Sequence, residues 1–429
     1  MRRARPIAAR PAVRRALTAR ARHFAAFTTA AALVTLAASA RAHAAPGLDA
    51  VRVSGLIDLT AKLNRERVVA NIDNDGESTY SALFVRFNLD FQVSEKTTVL
   101  TEIFAPGGYR FGLYGAYVRF RDVVGTGVSV QAGKLPSFFG GYSSHSYGRG
   151  RPLISYPLLY QYHTVLAADA VPRDAAALLE WKEARLGDPQ FGQVSGSLGR
   201  APLPLHYDRC WDTGIELFTS TERVEASVGV TTGTLSNPLD EDENSGKQFV
   251  GRLVLLVGAG TRLGVSAAHG PYLNVCATCL EGDGIADSST TRIDRDAFDA
   301  ASEISLGADL EWGMRHFQLY AEGMHKRWES PWIREDLLAN AYHTELKYTI
   351  IPGLYAAVAY GEILFNAIER ADGAEEQWDY SIRRFETGVG YLFDPRTLLR
   401  VSVQWNELYG VEDEDVEGAL PAVQLEVGF

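Results

Sequence analysis

Arg149-Gly150-Arg151 follows closely on His145, so two guanidiniums and an imidazole crowd into seven residues. Guanidiniums grip carboxylates and phosphates through paired N–H donors, and they stay charged at any physiological pH. The same stretch contains Ser143-Ser144-His145-Ser146, which supplies a hydroxyl and a base. A hydrolytic triad also needs an orienting third group and an oxyanion hole. Neither is signalled nearby, so no catalytic residue is assigned and the chain is expected not to be an enzyme. Cys276-Ala277-Thr278-Cys279 offers thiol chemistry, with Cys210 far off in sequence. In an oxidising compartment a disulfide between Cys276 and Cys279 is expected, and three thiols cannot all pair within one chain. Leu280 follows the pair where haem attachment needs His, and a zinc site would need two further ligands. No metal and no cofactor is expected.

Carboxylates are the commonest chemistry here. Asp240-Glu241-Asp242-Glu243 and Glu412-Asp413-Glu414-Asp415 form runs, and Asp283, Asp287, Asp294, Asp296 and Asp299 are scattered between them. Solvated, self-repelling loops are the first reading. The second is divalent cations bridging these oxygens to lipopolysaccharide, since hard cations prefer oxygen ligands.

The elements that must position these groups begin after an export signal. Residues 1 to 44 hold nine Arg and no acid, an apolar stretch from Ala25 to Ala40, and Ala42-His43-Ala44. That is the pattern of a Sec-type signal peptide cut after Ala44, with Ala40 as a second position. Without it, 33 basic residues face 53 acidic ones, a net charge of -20. So acidic a chain is not expected to bind nucleic acid. Beyond residue 44 no apolar run is long enough for a transmembrane helix. If residues 45–429 span a membrane, they do so with strands.

Sixteen segments carry a strand pattern. They are Ala50–Leu63, Ser81–Val93, Thr97–Phe104, Leu113–Arg121, Val128–Lys134, Thr213–Phe218, Val224–Thr231 and Phe249–Val257. The remainder are Arg262–His269, Glu303–Trp312, Phe317–Lys326, Ala341–Thr349, Leu354–Ile363, Arg383–Phe393, Leu399–Asn406 and Leu420–Phe429. Most alternate with period two, as a sheet with two unlike faces requires. In the tenth, Ile304, Leu306, Ala308, Leu310 and Trp312 share one face, and Glu303, Ser305, Gly307, Asp309 and Glu311 share the other. Links after even segments are short; those after odd segments are generally long. That parity predicts an all-β fold: a transmembrane antiparallel barrel of about 16 strands, one unit over 45–429. Phe91, Trp312, Tyr348, Phe393 and Phe429 are expected at one bilayer interface, with Tyr342, Tyr360 and Trp405 toward the other.

Pro421 to Phe429 alternates and ends on an aromatic residue. It resembles the terminal signature of Gram-negative outer-membrane barrels, which implies that Phe429 is a signal to the barrel assembly machinery. An outward apolar face and an inward polar one mean a wet interior. Arg52, Lys62, Arg86, Arg119, Arg121, Lys134, Arg252, Arg262, Lys347, Arg383 and Arg400 are the expected basic lumen residues. Asp58, Asp90, Glu102, Glu216, Glu225, Glu303, Asp309, Glu311, Glu322 and Glu345 are the acidic ones. The two sets nearly balance.

The link 135–212 is too long for a plain loop and is rich in aromatics, with prolines that forbid one continuous element. A short helix over Ala175–Ala184 and a further strand over Phe191–Leu198 are expected inside it. It reads as an insert folded into the lumen; an external cap and an extra hairpin are the alternatives. Arg119, Arg121, Lys134, Arg149 and Arg151 are the candidate pore and constriction residues, and Glu102, Asp309 and Glu311 the candidate lumen acids.

Gly133-Lys134-Leu135-Pro136-Ser137-Phe138-Phe139-Gly140 resembles the strand-to-loop junction of Gram-negative porins, including the phosphate-selective porin O and P-like group. The resemblance implies an outer-membrane channel for small hydrophilic solutes, in contact with membrane lipid and lipopolysaccharide, and by analogy a homotrimer. A phosphate-like anion channel and a plugged barrel acting as scaffold or receptor are the other readings.

Overall fold

The computed structural model describes residues 51–63, 83–106, 111–142, 145, 150–186, 202–207, 211–239, 246–273, 301–370, 372–411 and 418–429. Arg149, the three cysteines, the signal region, Phe191–Leu198, both acid runs and the scattered aspartates lie outside them.

Among the described residues, sixteen antiparallel strands close into one barrel. The first eight are β1 (Val51–Lys62), β2 (Leu83–Gln92), β3 (Thr97–Pro106), β4 (Gly112–Phe120), β5 (Val128–Pro136), β6 (Trp211–Ser220), β7 (Val224–Thr231) and β8 (Gln248–Leu256). The second eight are β9 (Thr261–Pro271), β10 (Ser302–Met314), β11 (Phe317–Trp328), β12 (Leu337–Ile351), β13 (Leu354–Phe365), β14 (Ile382–Asp394), β15 (Thr397–Leu408) and β16 (Gly418–Gly428). Each coincides with an expected segment to within a few residues. Closure runs through β1 and β16, in register from Leu56 opposite Gly428 to Lys62 opposite Ala422. Phe429 extends the seam: its N–H donates to the Gly55 carbonyl at 3.0 Å, and its carbonyl accepts from Gly55 N at 3.1 Å. No sheet edge is left at this seam to pair with another chain.

Short turns join even strands to the next odd ones. The β8–β9 turn needs Gly260 at φ +107°, a region L side chains rarely adopt, and a Cβ there would meet the Gly313 carbonyl at 2.6 Å. On the outer face Leu253, Val265, Leu306, Val358, Phe385 and Val389 are exposed. Phe91, Tyr348, Phe393 and Phe429 are exposed on it as well, as are Tyr342, Tyr360 and Trp405. Seven of the eight aromatic residues expected there are therefore exposed on the outward surface, and Trp312 is half-buried.

Two basic residues expected in the lumen lie outside it. Lys134 stands opposite Thr213 and Ala116, in the row that holds exposed Ile215 and Leu217, so alternation puts it on the outward face. Arg383 is exposed beside Phe385 and pairs with Glu407 at 2.6 Å, while its neighbour Arg384 is the buried, inward residue. Both sit at the long-link ends of their strands, where a cation reaches the headgroup level and polarity no longer marks the lumen.

Among its described residues, the link 137–210 holds two α-helices, α1 (Leu158–Gln161) and α2 (Ala175–Leu186), and two short strands, His163–Ala167 and Pro202–Pro204, that pair with each other. The latter stay outside the barrel count. Helix α2 starts where the Asp174 carboxylate accepts from Ala177 N at 2.8 Å, and it buries Ala177, Leu178 and Trp181 on one stripe. Leu178 and Trp181, with Leu158, Leu159, Tyr160 and Tyr162, join Met324, Trp328, Leu337, Ile363 and Phe365 of the wall in the main apolar cluster.

Candidate pore site

The inner wall is a ladder of ion pairs. Arg86 meets Glu102 at 2.6 Å. Arg252 holds Asp309 bidentately at 2.6 and 2.9 Å, reaching across β9 at Gly264, where a Cβ would strike the Asp309 carboxylate at 2.3 Å. Arg262 meets Glu225 at 2.6 Å and lies 3.7 Å from Glu311. Lys326 and Glu303, both essentially inaccessible, pair at 2.7 Å. Pairing limits the cost of desolvating each ion.

The insert fastens to one half of that wall. Gly140 N donates to Ser266 Oγ at 3.0 Å, and Tyr160 OH to Glu322 at 2.8 Å. Tyr355 OH donates to the Pro152 carbonyl at 2.9 Å, and Ile154 N to Glu386 at 3.2 Å. Arg384 reaches the Tyr156 carbonyl at 2.8 Å, and Arg400 donates to the Arg151 carbonyl. All these wall residues belong to β9–β15. Further along, the Asp379 carboxylate accepts from Tyr162 OH at 3.0 Å and Val165 N at 2.9 Å.

Along β4–β9 and the start of the insert lies a cavity of about 330 Å³. Pro136, Ser137, Phe138, Gly140 and Gly141 form its insert side; Arg119, Gln131, Glu216, Glu225, Arg252 and Arg262 are among its wall residues, and Glu311 closes it.

Of the five candidate constriction residues, Arg119 lines this cavity. Arg121 is exposed in the β4–β5 turn, its N–H bonded to the Lys96 carbonyl, and does not join it. Lys134 is outward, as above. Arg151 is buried on the other side of the insert, with its guanidinium 3.9 Å over the Tyr156 ring. Of the candidate acids, Glu311 lines the cavity, Asp309 holds its Arg252, and Glu102 pairs with Arg86. His145, from the insert, lies 3.3 Å from Glu311. Burial tends to lower its pKa, but the hydrogen bond and charge of Glu311 outweigh that and raise it.

Gln131 escaped the sequence reading. Its amide oxygen accepts from Arg119 Nε at 3.1 Å and its amide nitrogen donates to Glu216, so it separates a cation from an anion. A neutral amide on an alternating strand gives no signal of that role.

Among solved structures the chain is similar to OmpTdeltaL8, a loop-deletion mutant of OmpT, an outer membrane protein of Vibrio cholerae. The TM-score is 0.51 at 10% identity, covering 88% of this chain and 99% of that one. It is also similar to an anion-selective porin from Comamonas acidovorans, with a TM-score of 0.50 at 9% identity over 88% and 99% of the two chains. The fold is that of a general porin. No protein-family model matches the chain, and no curated protein matches it in sequence.

Proposed function

We propose that the chain is an outer-membrane porin through which small hydrophilic solutes diffuse, its lumen narrowed by the insert. The supporting observation is the asymmetry of the lumen. The insert shares an apolar core with the β11–β14 side, while the β4–β9 side keeps a polar cavity against it. A barrel of this strand number is too wide for its own side chains to fill. The outward band of aliphatic and aromatic residues suits lipid, and a lumen of paired charges suits water. The cavity wall offers three arginines and three glutamates, so weak ion preference is expected.

A second reading is a plugged barrel serving as scaffold or receptor, favoured by the extent of the insert's buried core. The refolded chain in a planar bilayer under a KCl gradient separates the two. Steady open-channel current with a small reversal potential supports the porin. A folded barrel that never conducts selects the plug.

A further inference from the structure

The cavity wall carries three guanidiniums, and their bonding differs. Arg252 spends both terminal nitrogens on Asp309, and Arg262 is committed to Glu225. Among the described residues Arg119 donates only through Nε, to Gln131, and no carboxylate lies within ion-pairing distance of it. Its guanidinium lies 5.8 Å from the Tyr117 ring centroid and 5.6 Å from that of Phe218. Two aromatic rings flank the guanidinium, Gln131 takes its Nε–H, and the two Nη groups have no hydrogen-bond partner among the described residues, while Arg119 lines the cavity.

The opposite charge is held the same way. Glu216 accepts from the other end of the Gln131 amide, so one neutral side chain keeps Arg119 and Glu216 from closing on each other. The cavity thus presents a positive and a negative pole at fixed separation within a lining of zero net formal charge. A solute of net negative charge gains at Arg119 and loses at Glu216. A solute bearing both charges gains at each.

We propose that this cavity is a docking step for small zwitterions, α-amino acids or short peptides. Their carboxylate lies on the Nη edge of Arg119, and their ammonium lies toward Glu216. This rests on the porin reading above.

Alanine and lactamide have the same atomic composition and differ in charge separation, so they test the proposal by swelling of liposomes that contain the full chain. The wild-type barrel should admit alanine about threefold faster than lactamide, the scale of one water-exposed charge contact. Arg119→Gln should bring that ratio close to one. Gln131→Leu, which frees Arg119 to close on Glu216, should lower it too and serves if the first variant fails to fold. A ratio near one in the wild type, or one that neither variant changes, overturns the proposal. Strong anion selectivity that Arg119→Gln abolishes overturns it as well, in favour of a plain anion site. If neither solute enters the wild-type liposomes, the porin reading itself fails, and this proposal with it.

Discussion

Lys326 shows how tightly a single inward residue can be tied. It is buried against Glu303, and its ammonium also donates to the Leu205 carbonyl of the insert at 2.7 Å; Glu303 takes Trp328 Nε1 at 3.1 Å and the Ser236 hydroxyl. Lys326→Met strands a buried carboxylate and should cost about 3–5 kcal/mol. The check is denaturant unfolding followed by the gel shift of the folded barrel. Glu303→Leu added to it should restore most of the loss, because an apolar pair leaves no uncompensated charge. His206 makes a pH prediction. Its ring lies near Phe139 and Tyr160 and bonds Ser137 Oγ at 3.1 Å and the Tyr207 carbonyl at 3.0 Å. Burial pushes its pKa down to about 3, with Lys326 adding to the effect against the Tyr207 carbonyl. A depressed folded pKa means this contribution is whole above pH 6.5 and is lost as pH falls from there toward 3. Limited proteolysis of the insert should accelerate across that window, and His206→Gln should flatten the dependence. A wild-type profile that the variant leaves unchanged would refute this.

At the scale of elements, the strands were legible because lipid outside and water inside impose one alternation on every segment. Lys134 and Arg383 mark where that logic stops. Beyond the apolar band both faces meet polar surroundings, so a basic residue there does not tell inside from outside. Helix α2 was legible as the short helix expected over Ala175–Ala184. What the insert leans on was not, because Glu386, Arg384 and Arg400 lie more than 200 positions away from Ile154, Tyr156 and Arg151. Nor was the cavity: Arg119, Gln131 and Glu216 come from three strands, and their meeting depends on register. Glu386 is the anchor to break. It takes Ile154 N, Ser155 N and the Ser155 hydroxyl, so Glu386→Ala should raise cleavage within 150–160 roughly tenfold while the barrel stays folded. Unchanged cleavage would mean the apolar core alone holds the segment.

For the whole molecule, a closed ladder removes every edge within the barrel. In the proposed reading the insert leaves a packed side and a polar side of the lumen, and conduction is assigned to the polar one. Ser227 of β7 lines that half, far from the insert's anchors on β13–β15. The most direct measurement is single-channel current through a Ser227→Cys barrel whose three native cysteines are replaced by Ser. A membrane-impermeant, positively charged thiol reagent is then added. The account predicts that conductance falls in discrete steps as the cavity is modified, while the cysteine-free control keeps its current. An open channel whose current is unmoved by complete modification of residue 227 would mean that ions take another route, and would contradict the account.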